Sequence, residues 1–437
     1  MRVRDTCRLL LCVTLILGSL LTSARAQENT QSAIPPGTKI TMQNWQQYRQ
    51  FMPDGMAVLF EGKYFWKMLA DVEMNVGPTH NYPMPPGYAA MTEKYGNQTQ
   101  VVPLPDGTFD LKNYVGGLPF PNPAEPYKGW KILANQRFGT VTGRILAATP
   151  ETGLFTGCVQ DHFYNISCGK NLVVFRRLGF ISQPGYPNSE SEAPGAFASQ
   201  FIMVWQPENF KYLTDFTIFY QDIKREEDNY IFAPALRRTL RVSTFARCSP
   251  LLGSDYTKDD ARSGFNGRIS IFQAQFLRDQ KILALTELTT EDGLFPENWE
   301  MPLGWAKPSW GSWTVRDAWV IDVRRVPMLA PGYCYGKRIM YVDKEIVKDV
   351  WDDLYDHNMK LWKVLSNELG MRPSHAAGGE VIARTAAQMW DLQNDHATYG
   401  RSAGPDGRDL VIDDQVPGQY DDIPKYSSPG GLMAIMR

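Results

Sequence analysis

Histidine is scarce in this sequence, and several motifs that mark enzymes are missing. Only five histidines occur among 437 residues, and there is no Walker-type phosphate loop, His-Glu-x-x-His zinc motif or Gly-x-Gly-x-x-Gly dinucleotide loop. His357 and His375 lie in predicted loops, where a solvated polar role is more common than base catalysis. We therefore predict a non-enzymatic protein that needs no cofactor. A hydrolase with an unrecognised site is the last of three hypotheses.

Long apolar runs are also missing, apart from one at the N-terminus. Residues 9–21 are too few to span the ~30 Å apolar core of a bilayer. They follow three arginines within the first eight residues and precede the small-residue segment Ala-Arg-Ala at 24–26. This order is typical of a cleaved secretory signal. The sequence predicts a signal peptide over 1–26 and an exported, soluble mature chain.

No excess of positive charge is available for binding nucleic acid. Of the 45 basic and 47 acidic residues, the first 26 positions hold four and one respectively, so the mature chain carries a net charge of −5. Such a surface disfavours nucleic acid and simple electrostatic docking on anionic lipid. We expect no nucleic-acid partner.

Four cysteines remain after the signal is removed, in an oxidising compartment. Cys158 and Cys168 are ten residues apart, which suits a local disulfide, and Cys248 and Cys334 then pair by elimination. The alternatives are the two other connectivities and a metal site that uses Cys158, His162 and Cys168. A chain without Cys-x-x-Cys disfavours the metal site, and we predict none.

Apolar and polar residues alternate over 313–323, with Trp313, Val315, Trp319, Ile321 and Val323 at the odd positions. A period of two is typical of a strand with one buried face. Short polar breaks join this segment to further strands up to residue 364, which predicts an antiparallel meander. Other strands are predicted over 130–148, 171–181, 201–205, 212–222, 230–233 and 237–245, and helices near 45–52, 89–95 and 381–389. A sheet of this size must curl, and curling creates an apolar concavity.

The ends of the mature chain are rich in proline, glycine and polar residues. Residues 27–39 predict a disordered lead-in. Between this lead-in and the C-terminus we predict one β domain over 40–430, with an N-terminal helical segment at 40–100. The tail at 400–437 is predicted to wrap over the sheet.

Four segments of the chain resemble a family of periplasmic proteins, the domain of unknown function 1329. They are the segment from Asn44, residues 114–123, the middle of the chain from Arg237 to Gly267, and the segment from Tyr335. The motif residues are Gly116, Gly117, Pro119, Phe120, Pro121, Tyr335, Gly336, Lys337 and Arg338. This family is similar to outer-membrane lipoprotein-sorting carriers of the LolA/LolB type. The resemblance implies a mainly β (α+β) fold with a large curved antiparallel sheet, an incomplete barrel, in the periplasm of a Gram-negative bacterium.

The resemblance also implies a carrier for a hydrophobic or lipid-like cargo that works with an RND-type envelope transporter. The predicted cargo-lining residues are Trp205, Phe216, Ile218, Trp305, Trp310, Trp313, Trp319, Ile321, Met340 and Trp351. Core packing is the alternative for each of them, because lining and core residues have the same composition. The second hypothesis is an envelope interaction protein that docks on an outer-membrane partner through the tryptophan-rich segment 299–319.

Several other residues leave two interpretations open. Asp255, Asp259 and Asp260 in the predicted loop 249–268 are interpreted as solvated turn residues, with calcium binding as the alternative. The basic pairs Arg237-Arg238 and Lys337-Arg338 lie on predicted strands. Either one residue of each pair points inward to an anionic head group, or these residues pair with acidic residues across the sheet. The 114–123 segment is either a structural brace or a ligand clamp.

Overall fold

The computed structural model describes residues 33–139, 143–148, 155–159, 170–185, 189, 191–243, 247–251, 254–262, 264–288, 297–329, 332–374, 379–401, 410–412 and 420–435. The predicted signal peptide and most of the predicted lead-in lie outside these ranges. Within them, no helix is both long enough and apolar enough to cross a membrane.

Strands dominate the described chain. They are β1 (Lys39–Thr41), β2 (Glu73–Asn75), β3 (Gln100–Pro103), β4 (Phe109–Lys112), β5 (Ile145–Ala148), β6 (Phe155–Val159), β7 (Lys170–Arg177), β8 (Ala196–Gln206), β9 (Thr214–Tyr220), β10 (Asp228–Ala233), β11 (Arg238–Val242), β12 (Phe272–Leu288), β13 (Trp299–Glu300), β14 (Trp305–Ala306), β15 (Gly311–Arg325), β16 (Lys337–Asp343), β17 (Asp349–Tyr355), β18 (Leu361–Ser374), β19 (Gly379–Asp391), β20 (His396–Arg401) and β21 (Leu410–Ile412). The α-helices are α1 (Asp54–Phe60), α2 (Pro86–Tyr95), α3 (Lys128–Gly139), α4 (Ile423–Tyr426) and α5 (Pro429–Ala434). Short 3₁₀ helices cover Trp45–Phe51, Glu208–Phe210, Pro234–Leu236, Lys258–Asp260, Ile269–Ile271 and Pro327–Leu329.

Fifteen strands form one sheet, in the order β11-β10-β9-β8-β7-β5-β21-β18-β17-β16-β15-β12, and β19, β20 and β6 extend from β18 as a branch. All of these pairings are antiparallel except that of β18 with β21. The end strands β11 and β12 are not neighbours, so the sheet is open rather than closed into a barrel. The predicted fold class, a large antiparallel sheet with few helices, is confirmed. Strand β21, from the predicted wrapping tail, pairs with β5 inside the sheet.

The predicted meander from residue 313 to 364 is present as β15 to β18, each paired with the next. One detail of the prediction is wrong, since β15 buries both faces rather than one. Arg316 and Asp322, which the alternation places on a solvated face, are 4% and 8% exposed. Polar residues are tolerated there because they have partners, such as the ion pair between Arg316 and Asp343 at 2.6 Å.

Three local predictions are also wrong. The 130–148 strand is helix α3 over its first part, because α3 is buried on all sides and shows no helical period. The 381–389 helix is part of strand β19, which pairs along its length with β18. The helix predicted near 45–52 is a 3₁₀ helix over Trp45–Phe51, and the α-helix α1 begins after it, at Asp54. The predicted helix near 89–95 is confirmed as α2.

The two faces of the central strands carry different cores. Met340, Leu354 and Leu365 point to the side covered by α3, which we call the helix face. Tyr341 and Asp353 point to the other side, where their side-chain oxygens accept hydrogen bonds from backbone N–H groups of α1. We call this second side the tryptophan face, because Trp305, Trp313, Trp351 and Trp390 stack there.

Helix α3 lies directly on the sheet at its N-terminal end. A Cβ atom at Gly129 would stand 2.5 Å from the carbonyl oxygen of Ala274 and 2.5 Å from the nitrogen of Phe276, both on β12. Only glycine permits so close an approach of two backbones. At the same end, the indole of Trp130 donates a hydrogen bond to the carbonyl of Ile269 at 3.2 Å.

A disulfide joins Cys248 to Cys334 across 86 residues of sequence, as predicted. The predicted Cys158–Cys168 bridge and the alternative metal site with His162 rest on side chains outside the described part of the chain, so they stay predictions. Removing the Cys248–Cys334 bridge relaxes a long loop in the unfolded chain. We expect the double alanine variant to lose about 2–4 kcal/mol of unfolding free energy.

Urea titrations with and without reductant measure this loss. Reductant should lower the unfolding free energy of the wild type by at least as much as the double alanine substitution does. If reductant lowers the stability of the double variant further, a second disulfide exists, as the Cys158–Cys168 prediction requires. An unchanged midpoint in the double variant would contradict the expected effect.

Candidate functional site

The tryptophan-rich segment forms a packed core. Trp305 stacks on Trp313 with ring centroids 5.4 Å apart and planes inclined by 8°, and on Trp390 at 5.9 Å. Trp299 and Trp310 form an edge contact at 4.7 Å. All five of these indoles are at most 4% exposed. These indoles are therefore not exposed to a docking partner in this structure.

The predicted cargo-lining residues do not converge on one cavity. Trp305, Trp313 and Trp351 lie in the tryptophan face core, with Trp310 beside it. Ile321 and Met340 belong to the helix face core, against which Trp319 packs, and Phe216 lies in a third core with Trp205 and Ile218 at its edge. Their assignment as lining residues stays a prediction, and core packing is what the structure shows for the buried ones.

The 114–123 motif packs against α2 and α3 as a brace. The hydroxyls of Tyr88 and Tyr114 both donate to the carbonyl of Gly117, at 2.9 and 2.8 Å. Phe120, 8% exposed, donates its N–H to the side chain of Asn135 on α3 at 2.9 Å. A Cβ at Gly116 would stand 2.3 Å from the carbonyl oxygen of Ile181. These contacts agree with the brace interpretation. Pro119 and Pro121 lie in the same segment.

The second motif, from Tyr335 to Arg338, contains a buried ion cluster. Arg338 contacts Asp260 at 2.7 Å and Asp352 at 2.9 Å, and all three side chains are at most 1% exposed. Tyr335 donates its hydroxyl to Asp260 at 2.8 Å. Arg338 is thus paired with acidic residues and does not face a head-group site. The interpretation of Asp255, Asp259 and Asp260 as solvated turn residues is wrong, because all three are buried. Asp259 and Asp260 contact arginines, and Asp255 contacts His396 at 2.6 Å. Gly336 contacts the backbone of Asp356, and Lys337 lies over the ring of Tyr355.

A different group of residues surrounds a cavity between the C-terminal end of α3 and strands β8 and β9. The cavity has a volume of about 20 Å³, room for about one water molecule. Its apolar wall consists of Phe138, Phe197, Phe219, Ile223 and Ile269, and its polar wall includes Arg137, Glu227 and Asn266. Tyr220, Asp222, Arg225 and Arg268 complete the lining.

Three arginines converge on these phenylalanines. The guanidinium of Arg137 lies 4.8 Å from the ring centre of Phe219, and that of Arg177 lies 5.4 Å from Phe197. The guanidinium of Arg262 lies 4.3 Å from the ring of Phe175, which packs in the same core. We call Arg137, Arg177, Arg262, Phe175, Phe197 and Phe219 the arginine–phenylalanine cluster. Cation–π contacts hold these charges without neutralising them.

Neutral oxygens hold Arg137 and Arg262 in place. The side-chain carbonyl of Asn266 accepts from both guanidinium groups, at 3.1 and 3.2 Å. The nearby carboxylates of Glu227 and Asp259 pair with Arg247 instead. Burial, with Arg247 next in effect, lowers the pKa of Arg137 to about 10. Burial and the three neighbouring arginines lower the pKa of Arg262 well below its ordinary value.

Sequence reasoning missed this cluster. Its members come from β7, β8, β9, α3 and the segment 254–269, and α3 was predicted as a strand. The available signal was the presence of Arg137 and Arg177 inside otherwise apolar segments, where a charge is costly unless it has a structural or functional partner.

One enzyme-like motif also escaped the sequence analysis. Residues 400–404 read Gly-Arg-Ser-Ala-Gly, the spacing of a nucleophile elbow. An elbow requires a turn from a strand into a helix in a parallel sheet, whereas β20, which ends at Arg401, pairs antiparallel with both of its neighbours. Ser402 itself lies outside the described residues. The local topology is unlike that of an α/β-hydrolase elbow.

Buried carboxyl groups elsewhere predict a pH dependence of stability. Burial raises the pKa of Asp353 to about 7 and that of Glu368 to about 7. Asp353 accepts from the Gly55 N–H at 3.1 Å and from the Tyr341 hydroxyl at 3.3 Å. The unfolded chain has the lower pKa, so between about pH 4 and 7 the folded state binds more protons, and this contribution to stability falls as the pH rises.

We expect Asp353→Asn to gain stability relative to the wild type between about pH 5 and pH 8, because asparagine mimics the neutral acid. Urea unfolding of both proteins at several pH values measures the difference. A difference that stays constant over this range, or that moves in the opposite direction, would show that Asp353 does not titrate there.

One family model and several solved structures match this chain. A family model described as "Protein of unknown function (DUF1329)" matches residues 39–422. Among solved structures, a DUF1329 family protein from Desulfovibrio piger is 11% identical, with a TM-score of 0.48, and the match covers 71% of this chain and all of that one. A Vibrio parahaemolyticus domain, proposed to be an outer membrane lipoprotein-sorting protein, is 15% identical with a TM-score of 0.44 and coverages of 67% and 94%.

A third structure is a LolA superfamily protein from Nitrosomonas europaea. It is 12% identical with a TM-score of 0.34, and the match covers 60% of this chain and 84% of that one. No curated protein sequence matches significantly. The family match extends over most of the chain and includes both motif segments, at 114–123 and 335–338. The chain therefore belongs to the DUF1329 family.

Proposed function

We propose that this protein is a non-enzymatic periplasmic carrier for a hydrophobic, lipid-like cargo that binds on the helix face, beneath the C-terminal end of α3. The observation that carries this proposal is the phenylalanine-lined cavity between α3 and strands β8 and β9. Five apolar side chains, six charged or amide side chains and one tyrosine line this cavity. Ligand sites combine apolar walls with polar groups that fix the orientation of the ligand.

The cavity is too small for an acyl chain in this structure, so binding requires α3 to move away from β8 and β9. The N-terminal end of α3 is held on β12 at Gly129. Its C-terminal end borders the cavity, and opening there has to break the hydrogen bonds that Tyr88 and Arg177 donate to the carbonyl of Phe138. Opening at that end exposes Phe138, Phe197 and Phe219 to the cargo. Each ångström squared of apolar surface that the cargo then buries contributes about 25 cal/mol.

The compartment and the partner are part of the same proposal. The predicted signal over 1–26 supports export to the periplasm. The family resemblance supports cooperation with an RND-type transporter that receives or supplies the cargo. The alternative, docking through the tryptophan-rich segment, is less well supported because Trp299, Trp305, Trp310 and Trp313 are buried.

Native mass spectrometry of protein purified from periplasm without detergent tests the proposal. We expect an additional mass that solvent extraction identifies as an amphiphile. Ile223→Trp narrows the cavity entrance and should remove that mass. Leu240→Trp makes a similar change at a position on β11 that is 46% exposed, and it should retain the mass. A wild type that stays free of ligand after incubation with envelope lipids would refute the carrier function.

A further inference from the structure

Among the described residues, arginines outnumber acids around Arg137 and Arg262. Arg137, Arg262 and Arg247 lie close enough to influence one another, and the nearby acids Glu227 and Asp259 both contact Arg247. No ion pair of Arg137 or Arg262 occurs within the described ranges. A buried cation without a counter-charge is costly, so its retention here requires an explanation.

The backbone at Arg262 supports the same conclusion. Its φ angle is 58°, in the left-handed region that favours glycine. This conformation directs the guanidinium into the cluster, where it donates to Asn266 and to the carbonyl of Arg137 at 3.3 Å. The Nε atom of Arg262 is buried and has no hydrogen-bond partner among the described residues. Arg262 does not line the cavity itself, but it shares the Asn266 carbonyl with Arg137, which does. A strained residue next to a lining arginine is typical of a functional site rather than of simple packing.

We propose that Arg137 and Arg262 bind the oxyanion head group, a phosphate or carboxylate, of the amphiphile that the protein carries. This inference rests on the proposed function and adds the chemical class of the cargo. Guanidinium groups bind oxyanions through paired, charge-assisted hydrogen bonds. The phenylalanine walls contact the first methylenes of the apolar chain, next to the head group.

The acids at the cavity restrict where the anion can lie. Glu227 lines one side and is already paired with Arg247, and Asp222 lies at the entrance, where it accepts from the Lys224 N–H at 2.9 Å. Both carboxylates repel an anion. Arg225 and Arg268 also line the cavity, but Arg225 lies over the ring of Tyr220 and Arg268 contacts Glu226 at 3.5 Å. The head group is therefore assigned to Arg137, on the α3 side of the cavity.

Ligands with one chain and different head groups test this inference. Calorimetry below the micelle concentrations measures the binding of hexadecyl phosphate, palmitate, hexadecanol and hexadecyltrimethylammonium. Inorganic phosphate, measured in the same way, tests the head group without a chain. We expect the two anions to bind about 10- to 100-fold more tightly than hexadecanol, as expected for one or more charge-assisted hydrogen bonds. Inorganic phosphate should bind far more weakly than hexadecyl phosphate.

The outcomes separate the two proposals. Equal affinity for the anionic and neutral ligands refutes the head-group site and leaves the carrier function standing. Failure of all the amphiphiles to bind refutes the carrier function. Binding of inorganic phosphate as tight as that of hexadecyl phosphate overturns the amphiphile as cargo and assigns the cluster to free phosphate.

Two arginine variants are compared, so that the test stays valid if one of them folds poorly. Arg137→Gln and Arg262→Met should each remove the preference for anions and still bind hexadecanol. Arg262→Met should also raise the Tm of the ligand-free protein by a few degrees, because an uncompensated buried charge is lost. Arg49→Gln, on the opposite side of the sheet and partly exposed, is the matched control and should change neither property. A lower Tm for Arg262→Met together with an intact anion preference would show that Arg262 has only a packing role.

Discussion

Replacing Arg338 with methionine is expected to lower the free energy of unfolding by about 3–5 kcal/mol. Its guanidinium lies between Asp260 and Asp352 and also donates to the carbonyl of Gly264 at 2.9 Å. Removing the cation leaves two carboxyl groups buried with no counter-charge and one carbonyl without its donor. Burial already raises the pKa of Asp352 well above its ordinary value, and loss of Arg338 removes the main opposing interaction.

Urea unfolding of Arg338→Met measures the loss, with two comparisons. Lys337→Met changes the neighbouring residue, whose charge lies over the half-buried ring of Tyr355, and should cost less than about 1 kcal/mol. The triple variant that also carries Asp260→Asn and Asp352→Asn should recover a large part of the stability, because no charge is then left unpaired. A triple variant no more stable than Arg338→Met would show that the arginine acts mainly through packing.

Replacing Trp305 with alanine is expected to cost about 3–5 kcal/mol. Its indole is 2% exposed and contacts Trp313, Trp351 and Trp390 in stacked arrangements. Phe60 of α1 meets it edge-on at 5.4 Å. Truncation opens a cavity at the centre of the tryptophan face, and the surrounding rings are too rigid to fill it.

Trp305→Phe is the matched control for this change. The indole nitrogen of Trp305 has no hydrogen-bond partner in the described chain, so phenylalanine loses ring volume but no polar contact and should cost less than half as much. Thermal unfolding of both variants makes the comparison. If Trp305→Ala binds cargo normally while its stability falls, the tryptophan face is purely structural. If its stability does not change, the indole cannot be part of the core.

The two faces of the sheet thus differ in how their buried side chains are stabilised. The tryptophan face is rigid aromatic packing, and the cluster around Arg338 on the helix face pairs its charges. Among the described residues, the arginine–phenylalanine cluster combines buried cations and neutral partners next to a cavity. That contrast supports the proposed site at the C-terminal end of α3, whose lining includes none of the residues named in the cargo-lining prediction.

The sequence by itself determined the mainly antiparallel architecture, the central meander and the family. Alternation of apolar residues and short polar turns are local properties, and they persist in the folded chain from β15 to β18. The pairing of Cys248 with Cys334 was also accessible from the sequence, through the small number of possible connectivities.

Only the tertiary structure decided the identities of α3 and β19 and the partners of the arginines. Segment 128–139 is buried on every side and segment 379–391 on both of its faces, so neither has the one-sided pattern that distinguishes a helix from a strand. Arg338 contacts Asp260, which is 78 residues away in the sequence, and Arg137 contacts Asn266, which is 129 residues away. Charge pairing over such separations depends on which strands become neighbours, and no local pattern of residues encodes that choice.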